Sequence, residues 1–257
     1  MKVRLFYMTL ILGCGLRMPL FGQIACNPLE PSGKGEWTVS LNGTYLNQTV
    51  GQENALSRRI LLKSGYGMTP WLDLYVLGGA VDLEMKTGQA GIQDYDDKYR
   101  PAFGAGAHVS LSSIESPVVL FGGAQFVRFV SRGSYIGQFQ VDNDYFESRY
   151  SMRYDWREFK AQLGLAFSVM MFRFYGAYTQ WGVQRLDRKK EYLIYQGSST
   201  YVGMEEGEYR SGMHSGILAG MQINFPGQFA LTLETLIFDK DSYHILAGIS
   251  QTGNQGW

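Results

Sequence analysis

The sequence carries no net charge, little cysteine, little proline and, past its first residues, no long apolar run. Lysine and arginine number 23, and aspartate and glutamate also 23. That balance excludes the basic footprint of a nucleic-acid-binding domain. Two cysteines are too few for a disulfide scaffold or a four-cysteine zinc site. After residue 22 no uninterrupted apolar stretch approaches the ~20 residues of a membrane helix. A helical membrane protein is thereby excluded. A membrane barrel is not, because each of its strands carries only a weak hydropathy signal.

What is present is glycine, 32 of 257 residues, and aromatics at 14%. With only 7 prolines, this mixture favours strands and tight turns over helices. A hydrophobic content of 45% against 18% charged belongs to a folded chain, not a disordered one.

The first residues read as a secretory leader. Lys2 and Arg4 form a basic start, and Leu5 to Leu16 is an uncharged run too short to span a bilayer. Cleavage is expected near Gly22 or Ala25. Removing residues 1–22 takes away Lys2, Arg4 and Arg17 and no acid, so the balanced chain becomes a mature one of net charge −3. Ile11-Leu12-Gly13-Cys14 resembles a lipobox, and Gln23-Ile24-Ala25-Cys26 does so less well. Lipidation of Cys14 or Cys26 stays open. Asn27 to Gly35 is rich in proline and glycine and reads as a loose segment.

Period 2 recurs through the rest of the chain, with no helical stripe over three turns. In residues 157–168, Phe159, Ala161, Leu163, Leu165 and Phe167 alternate with Glu158, Lys160, Gln162, Gly164, Ala166 and Ser168. Residues 213–225 and 229–237 alternate in the same way. The pattern predicts ten strands, at about 36–47, 57–68, 71–84, 100–112, 118–131, 155–169, 171–186, 212–225, 228–238 and 242–251. Most match the ~9–11 residues that cross a bilayer at a tilt. Connections after the second, fourth, sixth and eighth strands are short. Those after the first, third, fifth and seventh, at 48–56, 85–99, 132–154 and 187–211, are long. The connection after the ninth, Asp239 to Asp241, is short and breaks the series. Such alternation puts short turns at one end of an up-and-down barrel and long loops at the other. Closure removes the unpaired edges that lipid cannot satisfy.

Inward glycines, Gly104, Gly106, Gly164, Gly216 and Gly220, would relieve crowding in a narrow lumen. Trp37, Tyr45, Tyr66, Trp71, Trp156, Phe167, Phe172, Trp181, Phe225, Phe229 and Tyr243 fall near strand ends. Amphipathic rings suit the two headgroup levels, so an aromatic girdle is expected from them.

On these features, with the segment GYGMTPWLDLYVLGGA at 65–80, the chain resembles the small outer-membrane β-barrel proteins of bacteria over residues 36–251. The resemblance implies an all-β, antiparallel up-and-down transmembrane barrel of about ten strands, in a range of eight to twelve. It places a signal peptide at 1–22, a flexible segment at 23–35 and a tail at 252–257. It also implies the outer membrane of a Gram-negative cell envelope, with outer-membrane lipid, lipopolysaccharide and the barrel-assembly machinery as partners, and no nucleic acid or cofactor. Barrels of this class often end in an aromatic residue. Trp257 is one, but the polar run Thr252 to Gly256 departs from the pattern.

Lys63, Asp73, His108, Glu158, Lys160, Gln162 and Glu234 are expected to line the lumen, where opposite charges should pair because an unpaired buried charge is costly. They would form either a sealed, salt-bridged plug or a narrow pore for small polar solutes. The seventh strand does not declare its faces: Arg173, Tyr175, Ala177 and Trp181 compete with Phe174, Tyr178 and Gln180. The third and fifth are ambiguous too, which suggests bulges at Gly78-Gly79 and Gly122-Gly123. His214 and His244, near Glu208 and Asp241 in sequence, are weak candidates for a rim general base. No triad or paired-acid motif supports an enzyme. The three histidines fit no metal-ligand spacing, and Asp94 to Asp97 and Asp142 to Asp144 read as solvated loop faces. Two alternatives remain: an outer-membrane enzyme that hydrolyses lipid or peptide with a rim histidine, and a soluble secreted barrel that turns apolar residues inward to bind an apolar ligand.

Overall fold

The computed structural model describes residues 33–50, 53–86, 94–112, 117–141, 144–195, 198–239 and 242–253. The expected leader, Cys14, Cys26 and Trp257 lie outside the described residues.

Among the described residues eleven antiparallel strands form: β1 (Trp37–Val50), β2 (Glu53–Thr69), β3 (Leu72–Lys86), β4 (Tyr95–Ser112), β5 (Val118–Val141), β6 (Asp144–Val169), β7 (Phe172–Tyr195), β8 (Ser198–Arg210), β9 (His214–Phe225), β10 (Phe229–Ile237) and β11 (Tyr243–Gly253). Each of β1 to β7 pairs with the next in sequence, and β1 closes the ring on β11 from Trp37↔Gly253 to Asn47↔Tyr243. The lower half of β7, Phe172 to Trp181, pairs with β9, while its upper half, Gln184 to Tyr195, pairs with β8. The closed ring therefore holds ten strands, and β8 leaves it as the outer arm of a hairpin.

Strands β5, β6 and β7 run to 24, 26 and 24 residues. A bilayer crossing uses ~9–11, so with β8 they rise well beyond the ring as a four-stranded sheet. The expected loops 48–56, 85–99, 132–154 and 187–211 are in large part strand. Dyad patterning is lost on β8, which is almost wholly exposed, because water meets both of its faces.

The outward face is apolar. On β6, Phe159, Leu163, Leu165 and Phe167 are all exposed, Leu163 by 62%. From the short-turn end upward, the first outward charges among the described residues are Arg58 on β2, Asp82 on β3, Arg128 on β5 and Arg157 on β6. Below them every charged strand residue points inward. This is a lipid-facing band, and it excludes the inverted, soluble arrangement of faces.

At the short-turn end Trp37, Tyr66, Trp71, Phe172, Phe225 and Phe229 stand at the outer surface, with the Trp37 and Tyr66 rings 4.9 Å apart. Tyr45 and Tyr243 meet at 6.2 Å nearer the opposite edge. Trp156 and Trp181 correct the girdle expectation. Both are fully buried inside, because Trp156 shares the parity of Glu158 and Lys160, and Trp181 that of Tyr175 and Ala177.

Register runs unbroken through Gly78-Gly79 and Gly122-Gly123. Its shifts fall instead at Gly67/Thr69, Val81/Leu83 and Glu191/Tyr192. The third strand reads ambiguously because its upper inward residues, Val81, Leu83 and Met85, join an apolar cluster inside the barrel. Inward glycine serves close approach: a Cβ at Gly106 would sit 2.3 Å from the Tyr75 hydroxyl, and one at Gly220 2.3 Å from Tyr175 Cζ.

Candidate functional site

The lumen is the first place where the chain assembles polar chemistry. Lys63, Asp73, His108, Glu158, Lys160, Gln162 and Glu234 all point into it and are all buried. His108 Nδ1 lies 3.9 Å from Asp73. Lys63 Nζ sits 4.2 Å above the Tyr75 ring, whose hydroxyl is 3.2 Å from Gln125. The Tyr175 hydroxyl donates to Glu234 at 2.6 Å from the neighbouring wall. Lys160 Nζ and Glu234 Oε2 have no hydrogen-bond partner among the described residues.

A buried ion pair spans this lumen. Arg59 Nη1 on β2 meets Glu158 Oε2 on β6 at 2.9 Å, with both side chains 0% exposed. The same carboxylate oxygen accepts from Trp156 Nε1 at 3.2 Å. Around the pair lies an apolar cluster that includes Leu46, Leu61, Leu83, Met85, Phe129, Trp156 and Trp181. Phe129 stacks on Trp156, and Trp181 contacts His214, Phe238 and His244 at 5.7–6.0 Å. A channel wide enough for water would leave its lining side chains accessible. Here Arg59, Trp156 and Trp181 have no accessible surface, so the lumen is filled at this level.

A second ion pair crosses the mouth. Arg185 on β7 reaches Glu53 on β2 at 2.7 Å and holds Asp187 at 2.7 Å. Its guanidinium lies 5.0 Å from the Tyr154 ring and 5.6 Å from that of Tyr209. Burial pushes the Tyr154 hydroxyl well above its ordinary range and that of Tyr135 up to about 12. Both therefore stay neutral.

Sequence reasoning missed Arg59, Arg185 and Glu53. Arg59 shares the parity of Lys63 on β2, and that parity alone would have found it. Arg185 sits where the faces of the seventh strand were unreadable, and Glu53 in a stretch expected to be loop.

Among the described residues neither rim histidine, His214 or His244, meets a carboxylate. His244 is buried and shares a hydrogen bond of 3.1 Å with Gln48 Oε1, an amide and not a carboxylate. Glu208 is turned away to Gln184 and Arg210. Asp241 and Asp142 lie outside the described residues. Asp97 is engaged by Arg100, Ser131 and the Arg132 backbone N–H, and no cluster of metal-ligating side chains forms among the described residues.

The sequence matches no protein-family model and no curated protein. Solved structures similar to this chain include the β-domain of the Bordetella autotransporter Brka, at 11% identity, with 86% of this chain and 100% of that one covered and a TM-score of 0.46. The outer membrane protein OprG from Pseudomonas aeruginosa is 10% identical, over 87% and 99%, at 0.34. Ail, the attachment invasion locus protein of Yersinia pestis, is 12% identical, over 86% and 99%, at 0.30.

Proposed function

We propose that the protein is a non-enzymatic outer-membrane barrel with a sealed lumen, which carries the β5–β8 sheet outside the membrane as its displayed part. The leader read in residues 1–22 supports export, and the apolar outward band supports residence in lipid. The observation that carries the sealed reading is the Arg59–Glu158 pair, wholly without accessible surface between opposed walls. Two facing charges in an open, hydrated pore would be wetted. Here they are surrounded by Trp156, Phe129 and aliphatic side chains. Neither rim histidine meets a carboxylate among the described residues, which favours display over hydrolysis.

The test is electrical. Refolded protein inserted in a planar bilayer is expected to give no stepwise conductance. Regular, reproducible steps from protein whose unboiled gel band shows it folded would overturn the sealed reading and favour the narrow pore.

A further inference from the structure

Three inward residues in one register row leave a hydrogen-bond donor unused. Gln125 on β5, Lys160 on β6 and Trp181 on β7 are direct neighbours across the strands, and all three are buried. Gln125 Nε2, Lys160 Nζ and Trp181 Nε1 have no hydrogen-bond partner among the described residues. The Tyr75 hydroxyl donates to Gln125 Oε1 at 3.2 Å, so the NH2 group is what this amide has left to offer. An ammonium and an indole N–H can only donate. Neighbouring strands lie ~4.8 Å apart, so the three donors arise within ~10 Å of one another along the wall.

Charge at this level is one-sided as well. Arg59 reaches Glu158, the next inward residue of β6, and its Nη2 is a fourth donor without a partner. Lys160 makes no ion pair among the described residues. Two cations therefore meet one carboxylate. Glu158 Oε1 and Gln162 Oε1 are unpartnered acceptors, but they belong to the rows above and below.

A buried charge without a partner is costly, and buried donors without acceptors call for a water or an ion. A water would accept from one or two of these groups and leave the positive charge unanswered. A small monovalent anion accepts from all of them and cancels it. A divalent oxyanion would bring a second charge into a dry site, at a further desolvation cost.

We infer that the barrel binds a small monovalent anion of the halide class, held by Gln125, Lys160 and Trp181 on the short-turn side of the Arg59–Glu158 pair. This deepens the sealed reading and rests on it, because the ion completes the filled level of the lumen. The way in is from the short-turn end. There Asp73, Gln162 and Thr232 keep a little accessible surface, whereas Arg59 and Trp156 have none.

The experiment heats refolded protein in neutral detergent, in sodium chloride or in sodium gluconate of equal ionic strength, and follows tryptophan fluorescence. Gluconate is too large for the row. Saturating chloride should raise the unfolding midpoint by about 5 °C over gluconate, through binding to the folded state alone. Lys160→Met should abolish that difference and Gln125→Leu should reduce it, while Arg58→Gln, on the outer surface, keeps it. Crystals grown in bromide should show an anomalous peak beside Lys160 Nζ. Equal midpoints of the natural protein in the two salts overturn the proposal, as does a difference that survives in Lys160→Met. If Lys160→Met does not fold, Gln125→Leu and the bromide peak carry the test. An undiminished difference in Gln125→Leu, or an absent peak, then overturns it. A chloride effect found only in Glu234→Gln would show that Glu234 answers Lys160 in the natural protein, and would overturn the site. Failure of the sealed reading is distinguishable from all of these, because it appears as stepwise conductance and not in the midpoints.

Discussion

Arg59 and Glu158 show how much a single parity can decide. Each is one residue from an outward-facing neighbour, Arg58 and Phe159, that meets an entirely different solvent. Taking one partner away leaves the other charge buried and alone, which costs ~3–5 kcal/mol, whereas replacing both by apolar residues is often neutral. Glu158→Gln should therefore lower the temperature of band conversion strongly, and Arg59→Met with Glu158→Leu should recover most of the loss. Equal effects from the single and the double variant would contradict a coupled pair. A second residue-scale prediction concerns Asp155, above the apolar band. The hydrogen bond from Arg128 is the chief influence on its carboxyl. Burial opposes it, and with Arg157 adding to the pull the carboxyl is held below its ordinary value. A folded value below the unfolded one, ~3.9, gives stability that is complete above that pH. The contribution is lost as pH falls through the lowered value. Wild type should lose thermal stability more steeply than Asp155→Asn below pH ~4, and parallel profiles would contradict the assignment. The lumenal Lys63, Lys160 and Glu234 were legible from alternation. Trp156 and Trp181 were not, because a large ring near a strand end suits either a headgroup or a crowded lumen, and only the parity of its neighbours separates the two.

At the scale of elements, the membrane-spanning halves of the strands were readable and their extensions were not. Lipid on one side and a polar lumen on the other impose strict alternation, as in 157–168. Above the band the outward face meets water and the inward face turns partly polar, so Ser148, Tyr150 and Glu191 carry no contrast to read, although Ser148 is buried and both it and Tyr150 hydrogen-bond Glu191. The number of strands in the ring was legible for the same reason, and β8, which never touches the band, was invisible. Since β9 and not β8 continues the ring, the hairpin should be dispensable for closure. Deleting residues 187–207 and joining the register partners Leu186 and Glu208 with Asn-Gly, a sequence that favours a tight hairpin, should leave a compact, heat-convertible band. Its complete loss would mean that the β7–β8 ladder is needed to form the barrel.

For the molecule as a whole, zero net charge conceals a strong segregation. Charges are absent from the outward band, buried inside it with Arg59 and Glu158 as an ion pair, and gathered in rows just above it. The lumen is filled by an ion pair and an apolar cluster, and a second ion pair ties β2 to β7 across the mouth. On the proposed reading, a barrel built this way holds a sheet outside the membrane without opening a path through it. That account depends on which face meets lipid, and β6 offers the most direct test. Leu163 and Arg153 both point outward, one inside the band and one above it. With Cys14 and Cys26 replaced by serine, a fluorophore on Leu163→Cys in vesicles should be quenched by bromine-labelled acyl chains and shielded from iodide in the water. The same probe on Arg153→Cys should behave in the opposite way. Iodide quenching at Leu163 equal to that at Arg153, with no effect of brominated lipid, would contradict the account.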